Sequence, residues 1–591
     1  MNFKLKIAAA AILAVSFVAC YGQTGDANPP VKKHVATMKA KTPAPPKVEE
    51  QIQALREELL GQINSLKSSL AEKDAQLQKA QQAAADAQAA AAKAEAAATS
   101  QQQAVSENAA AVSTLQSTVT DLKGNQASLA TTISDETTKI KKDIANPNAL
   151  HYKGINITPG GFMAAETVYR QKATGADIPT ALSSIPFNGA TNAQLSEFFG
   201  SGRQSRISMM AEGKTATVTY RGYIEADFLG TSIASNNNQS NSYALRQRVV
   251  WADATLKSGF AFQGGQMWSL TAERAKGLSN VSGDVKTPLT IDPNYVPGFV
   301  WNRQFGFRVV DTVNKNIAFG ISLENPQTLQ GGSNCPAGTC LWGTAAAQAS
   351  SYNSVNGTYS FNLGPDIIAK VAVDPGWGHY EGFAIGRFDH YLWFPGAVAS
   401  AQSTQTLSMG GFGGSARAPV FGKYGDFGLS GLYGWGVGRY GDTTLSDVTF
   451  DSTGKMLALT NASALASLEL KPTPRMVVYF NEGEDFVGRL TTASATYGYG
   501  LLNANNSGCN TVVLPTSGTT PGAAASCNGN NKFVQEFVAG VWYDFYKGPA
   551  GRVRYGVQYG HLNRAIWGGT ATPQADATEN QFYTSFRYYL P

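Results

Sequence analysis

Between residues 151 and 591 the chain runs as short segments in which apolar and polar positions alternate, separated by turn residues. In Val218 to Leu229, for instance, Val218, Tyr220, Gly222, Ile224, Ala226 and Phe228 fall on one face, and Thr219, Arg221, Tyr223, Glu225 and Asp227 on the other. A period of two marks a strand with one apolar face. One such strand fits a soluble sandwich as well as a membrane barrel, so the series has to decide. Sixteen strands are predicted, at about 154-169, 203-212, 215-229, 243-256, 259-269, 300-312, 316-324, 366-374, 380-393, 407-421, 426-440, 456-470, 474-482, 531-546, 551-562 and 581-590. Tight turns such as Lys257-Ser258, Asn314-Lys315 and Lys471-Pro472-Thr473 alternate with long polar loops, at about 170-202, 230-242, 270-299, 325-365, 394-406, 441-455, 483-530 and 563-580. An even number of antiparallel strands, with short turns on one rim, long loops on the other and both ends on the short-turn rim, is the layout of a bacterial outer-membrane barrel. The last strand, QFYTSFRYYLP, sets Phe582, Phe586, Tyr588 and Leu590 on one face, as a signal read by the barrel-insertion machinery requires, although the final Pro591 departs from the usual terminal aromatic.

A different period governs residues 48-145, which lack proline up to Asp143. From Ile63 a seven-residue repeat places Ile63, Leu70, Leu77, Ala84, Ala91, Ala98, Val105, Val112, Val119, Gln126, Ile133 and Ile140 at a, with Leu66, Ala80, Leu115, Leu122 and Leu129 among the d positions. This predicts a long α-helical coiled coil ahead of the barrel, and hence self-association. Upstream, Ile52, Leu55 and Leu59 fit a frame displaced by four residues, a stutter. At ~1.5 Å per residue the helix would run about 140 Å, the scale of a periplasmic strut rather than of a core helix. Ile or Val at a with Leu at d leans toward two helices, and the polar layers at Gln101, Asn108 and Gln126 fix register, so periodicity leaves dimer and trimer open.

Ahead of the coil, Lys4 and Lys6 precede an apolar run from Ile7 to Ala19, which reads as a secretory signal over residues 1-20. Residues 21-47 form a Pro- and Lys-rich linker. Cys20 follows Phe17-Val18-Ala19 and has two readings: a lipobox cysteine carrying a lipid, or a residue at an ordinary cleavage site. The other four cysteines form two close pairs in loop sequence, Cys335 with Cys340 and Cys509 with Cys527, and in an oxidising compartment these close loop disulfides. No stretch after the signal is apolar for long enough to span a bilayer as a helix, so residence in a membrane requires a closed barrel. The formal charge is only +5 and is spread evenly along the chain, which argues against nucleic-acid binding.

The barrel region resembles the DcaP-like trimeric outer-membrane porins, which pair an N-terminal coiled coil with a sixteen-stranded pore. The resemblance rests on RQSRISMM at 203-210, YIEADFLG at 223-230, YALRQRVVWADA at 243-254, GGQMWS at 264-269, TIDPNYVPGFVWNRQFGFRV at 290-309, DPGWGHYE at 374-381 and DFGLSGLYGWGVGRYG at 426-441. It implies a homotrimer in outer-membrane lipid, with the coil in the periplasm, and a pore that favours small anionic solutes including dicarboxylates.

If apolar neighbours mark the lipid face, alternation turns Arg206, Arg221, Arg246, Arg248, Arg308, Arg552 and Arg554 toward the lumen, together with Glu225 and Asp227. Guanidinium groups lining a water-filled constriction concentrate anions and grip carboxylates in bidentate fashion. The plainer reading is that each arginine pairs with Glu225, Asp227 or a neighbouring-strand carboxylate and only completes a polar wall. By length and by likeness to the porins, loop 270-299 is expected to fold inward, with Arg274, Lys276, Lys286 and Asp292 as lumen contacts. A catalytic role is not expected: His34, His151, His379, His390 and His561 accompany no nucleophile motif and fit no metal-ligand spacing, and no cofactor is implied. The alternative to a pore is a structural tether, in which the coil links the outer membrane to another envelope layer.

Overall fold

The computed structural model describes residues 79, 101–145, 149–230, 235, 236, 238, 240–279, 284–345 and 358–591. The expected signal, Cys20, the linker and, apart from residue 79, the heptads before residue 101 lie outside the described residues. The chain divides into two compact units, Met1–Thr137 and Thr138–Pro591.

Helix α1 (Gln101–Ala145) is continuous, as its proline-free heptads predict, and Val112, Val119 and Leu129 of its apolar seam are exposed in the single chain. No helix among the described residues is long and apolar enough to cross a membrane.

Sixteen strands close the barrel: β1 (Ile155–Arg170), β2 (Arg206–Lys214), β3 (Val218–Gly230), β4 (Ala244–Leu256), β5 (Phe260–Trp268), β6 (Arg303–Asn314), β7 (Ile317–Glu324), β8 (Asp366–Val373), β9 (His379–Trp393), β10 (Ser403–Val420), β11 (Gly425–Trp435), β12 (Thr460–Thr473), β13 (Met476–Val487), β14 (Asn531–Gly548), β15 (Gly551–Ile566) and β16 (Ala575–Tyr589). Each pairs antiparallel with the next, and β1 pairs with both β2 and β16, so no edge is left open. Alternation sets the two faces as expected: outward Phe305, Phe307, Phe319, Ile321, Leu323 and Ile367 are exposed, whereas inward Gln304, Arg308, Ser322, Glu324 and Lys370 are buried.

Every strand read from the sequence has its counterpart, and the departures cluster at the long-loop ends. Strand β16 begins at Ala575 rather than 581, because Ala575, Ala577 and Glu579 point inward and are buried while Asp576, Thr578 and Asn580 face out. Its polar outer residues look like loop. Strand β11 stops at Trp435 rather than 440, where Gly436 (φ 66) takes a left-handed conformation and turns the chain into the lumen. Residues Met456–Ala458, read as the start of a strand, instead pair with Val448–Phe450 inside that loop.

Both expected disulfides are formed, Cys335–Cys340 between β7 and β8 and Cys509–Cys527 between β13 and β14. The long loops are joined above the barrel: Gly189 N donates to Asn510 Oδ1 (3.1 Å) and Ser333 Oγ to Thr496 O (3.1 Å). Leu182, Ile185, Leu445, Val487, Tyr499 and Ile566 form an apolar core among them.

The lipid-facing assignment of β7 is tested by Ile321→Lys, which places a charge where the side chain is 57% exposed to hydrocarbon. The substitution should destabilise the inserted barrel by about 2–4 kcal/mol, read as a lower denaturant midpoint of refolding into vesicles, whereas Ile321→Leu should leave the midpoint unchanged.

Candidate functional site

The chain between β5 and β6 runs inside the barrel, and the contacts of its described residues follow the wall in strand order. Near its start, Lys370 Nζ of β8 donates to Ala272 O (2.9 Å), Glu381 Oε1 of β9 accepts from Arg274 N (3.0 Å), and Arg417 Nε of β10 donates to Glu273 Oε1 (2.7 Å). Farther along, Lys286 Nζ binds Glu469 Oε1 of β12 (2.6 Å), and Asn481 Nδ2 of β13 donates to Leu289 O (2.7 Å). Gln558 Oε1 of β15 accepts from Ile291 N (2.6 Å), and Tyr583 OH of β16 donates to Asp292 Oδ2 (2.6 Å). Gly298 (φ 84) then lies so close to Ala464 O of β12 that no Cβ would fit. The loop therefore crosses the lumen as a chord.

Between this loop and the β6–β11 wall the interior is solid. Leu270 and Leu278 pack with Val310, Ala318, Ile368 and Ala372, and Val437 and Tyr440 from the β11–β12 loop pack in the same cluster with Phe383, Ile385 and Leu432. Open space remains on the other side, against β1–β5 and β14–β16, where a cavity of about 270 Å³ is lined by Arg206, Arg248, Arg554 and Arg587. Phe162, Trp251, Trp268, Tyr295, Trp542 and Tyr589 complete its walls, with Glu225 and Asp292 as the carboxylates.

All seven arginines expected in the lumen have a carboxylate partner. Arg248 binds Glu225 (2.6 Å) and Asp227 (2.8 Å), Arg246 binds Asp227 (2.8 Å), and Arg206 reaches Glu225 at 3.6 Å. Arg552 and Arg554 share Asp544 (2.8 and 3.2 Å). Arg221, between Glu212 and Asp253 (3.1 Å each), is fully compensated. Arg308 is 1% exposed, with Glu324 at 3.6 Å, and lies behind the loop, while Arg274, on the loop itself, is 0% exposed, which corrects the expectation that they face open lumen. Lys286 is held by Glu469, Lys276 is exposed, and Asp292 lines the cavity.

Two arginines escaped the sequence reading. Arg587 of β16 lies on the cavity and pairs with Glu166 (2.6 Å). Its signal was present, since it alternates with the outward Phe586 and Tyr588. Arg303 lies 5.2 and 5.0 Å from the rings of Trp268 and Trp301, with no carboxylate within ion-pair distance among the described residues. It falls within the strand read at 300-312, on the parity of the outward Phe305 and Phe307, so alternation alone turns it away from the lumen.

Of the residues that line the cavity, four are arginines, Arg206, Arg248, Arg554 and Arg587, and two are carboxylates, Glu225 and Asp292. Cations are in excess. Tyr295 of the inner loop registers this: burial pushes its phenol up, but Arg248, Arg303 and Arg206 outweigh burial and hold it below the ordinary phenol range. On the far side, burial raises Asp442 well above the usual carboxylate range despite the hydrogen bond from Trp301, with Asp485 and Asp292 adding to the rise.

A closed sixteen-stranded barrel with an apolar outer belt, a polar lumen and an inward-folded loop is an outer-membrane channel fold. Among solved structures, the chain is similar to the outer membrane channel DcaP of Acinetobacter baumannii, with a TM-score of 0.51 at 14% identity over 75% of this chain and 99% of that one. The anion-selective porin from Comamonas acidovorans (TM-score 0.38, 11% identity, 74% of this chain and 100% of that one) and OmpT of Vibrio cholerae (0.37, 8%, 75% and 99%) are more distant. No family model and no curated protein matches the sequence.

The anchoring of the inner loop is tested by Arg417→Met, which strips the buried Glu273 and the half-buried Asp426 of their common cation. Breaking such a pair costs about 3 kcal/mol. The variant should show noisier single-channel current and a lower unfolding temperature than the parent.

Proposed function

We propose that the protein is a porin conducting small hydrophilic solutes across the outer membrane, with a preference for anions of the dicarboxylate type. The observation that carries this reading is the excess of guanidinium over carboxylate around the cavity, which Arg206, Arg248, Arg554 and Arg587 line against Glu225 and Asp292, with Arg303 nearby paired to no carboxylate among the described residues. In a narrow passage with low-dielectric walls, such an excess raises the local anion concentration. Arg206 and Arg554 hold their carboxylates loosely or in common, which leaves donor capacity for a passing carboxylate. The aromatic rings of the cavity suit the hydrocarbon part of such a solute.

Assembly as a homotrimer, with α1 belonging to a periplasmic coiled coil, is part of the same proposal. It is supported by the heptad register through Ile140 and by the exposed seam of α1.

Arg246→Ala and Arg248→Ala test the role of the arginines. Removing Arg248 leaves Glu225 and Asp227 undercompensated, so the double variant should lose anion preference, with its anion-to-cation permeability ratio falling roughly tenfold, equivalent to about 1.4 kcal/mol. Arg221→Ala, beside two carboxylates but off the cavity, should change it much less. Reversal potentials in a salt gradient across a planar bilayer measure both.

A further inference from the structure

The short-turn rim, which faces the periplasm in barrels of this kind, carries a cationic groove of its own. The hairpins β10–β11, β12–β13 and β14–β15 follow one another around the wall, and each turns tightly, Val420 pairing with Gly425, Thr473 with Met476 and Gly548 with Gly551. Each tip carries a lysine, and Lys423, Lys471 and Lys547 line one groove of about 630 Å³ together with Tyr424, Asp544 and Arg552. The groove lies on the lumen side of the wall. Arg552 stands two residues from Arg554 on β15 and shares its face, and Arg554 lines the arginine-rich cavity.

The carboxylates of this sector are already taken. Asp544 is 3% exposed and is shared by Arg552 (2.8 Å) and Arg554 (3.2 Å), Asp426 is held by Arg417, and Glu469 by Lys286 (2.6 Å). Lys423, Lys471 and Lys547 are exposed and have no carboxylate within ion-pair distance among the described residues, whereas Lys214, on the β2–β3 turn, pairs with Glu212 (2.9 Å). Like charges gathered at one groove repel, and an anion of two charges relieves that repulsion. The type of cation selects the anion. A guanidinium offers a flat fork that matches a carboxylate, while an ammonium is a compact, strongly hydrated point charge that suits a tetrahedral phosphate approached from several sides. The groove is also continuous with the cavity, because Arg554 and Arg552 meet on Asp544 and successive inward positions of a strand lie only ~7 Å apart.

We propose that this groove is an exit site that holds the phosphate group of a small solute, inorganic phosphate or a phosphomonoester, as it leaves the arginine-lined cavity. This rests on the anion path offered under the proposed function. Headgroups of the inner leaflet carry the same phosphate chemistry, so the test separates the two sources. It uses the full-length protein in planar bilayers at ~0.1 M potassium chloride, where a Debye length of ~10 Å leaves local charge effective. Inorganic phosphate in both compartments should lower the chloride current saturably, and the triple variant Lys423→Gln, Lys471→Gln, Lys547→Gln should raise the half-blocking concentration about tenfold. Lys315→Gln, on the β6–β7 turn beside the filled part of the lumen, should leave it unchanged. All four side chains are exposed, so the barrel should assemble. Equal block of the parent and the triple variant, or an equal rise with Lys315→Gln, would overturn the site. Block that is the same with and without phosphatidylglycerol in the bilayer assigns the groove to a solute; block that disappears with that lipid assigns it to a headgroup and overturns the exit site. Broadening of the phosphorus resonance of inorganic phosphate by the solubilised protein reads the groove without current. Broadening lost in the triple variant, from a protein that conducts nothing, would overturn the channel and retain the phosphate groove; no broadening by the parent would overturn the groove whatever the current.

Discussion

Hydrocarbon offers no water to a backbone N–H or C=O, so a chain that crosses it with strands has to pair every one of them, and the meeting of β1 with β16 is what completes that pairing. The rest of the architecture follows. Closure fixes which side chains face out and which face in, because the two faces alternate strictly along each strand. It also fixes where the long loops start, and therefore which of them can reach into the lumen. The chord between β5 and β6 meets seven wall strands because its ends are tied to neighbouring strands while its middle is free to cross.

Inside, polar chemistry takes the place that an apolar core holds in a soluble protein. The β6–β11 side is filled by packed Leu, Ile and Val, but the loops there are pinned by charged wall residues: Lys370 to the Ala272 carbonyl, Arg417 to Glu273, and Arg387 to Asp447. Buried ion pairs gain little net stability against a well-packed apolar substitute, yet losing one member is expensive. They suit a loop that has to stay in place beside a water-filled path. The same residue type serves a different end across the lumen, where arginines outnumber the acids that could quench them.

The strand count, the turn rims, the disulfide pairs and the outward faces were legible in the sequence because each rests on a short-range pattern: period two, turn residues, or close cysteines. Strand ends on the long-loop side were less legible, since β16 continues outside the apolar belt with Asp576, Thr578 and Asn580 on its outer face and so loses its hydrophobic signature while keeping its pairing. Arg221, Arg246 and Arg248 were placed on the correct face by alternation. What alternation could not see was the third dimension: that Arg308 lies behind a loop, that Arg274 is buried on that loop, and that four arginines would meet two carboxylates around one cavity. Arg587 could have been found by the rule that placed the others; Arg303, on the parity of the outward Phe305 and Phe307, could not.

The central claim is that this unequal sharing makes the open side of the lumen attractive to anions. The most direct test is the zero-current potential of the unsubstituted, full-length protein in a planar bilayer under a tenfold potassium chloride gradient. The account predicts grouped conductance steps and a reversal potential of the sign set by chloride. A cation-selective potential from the folded protein, or no conductance at all, would contradict it.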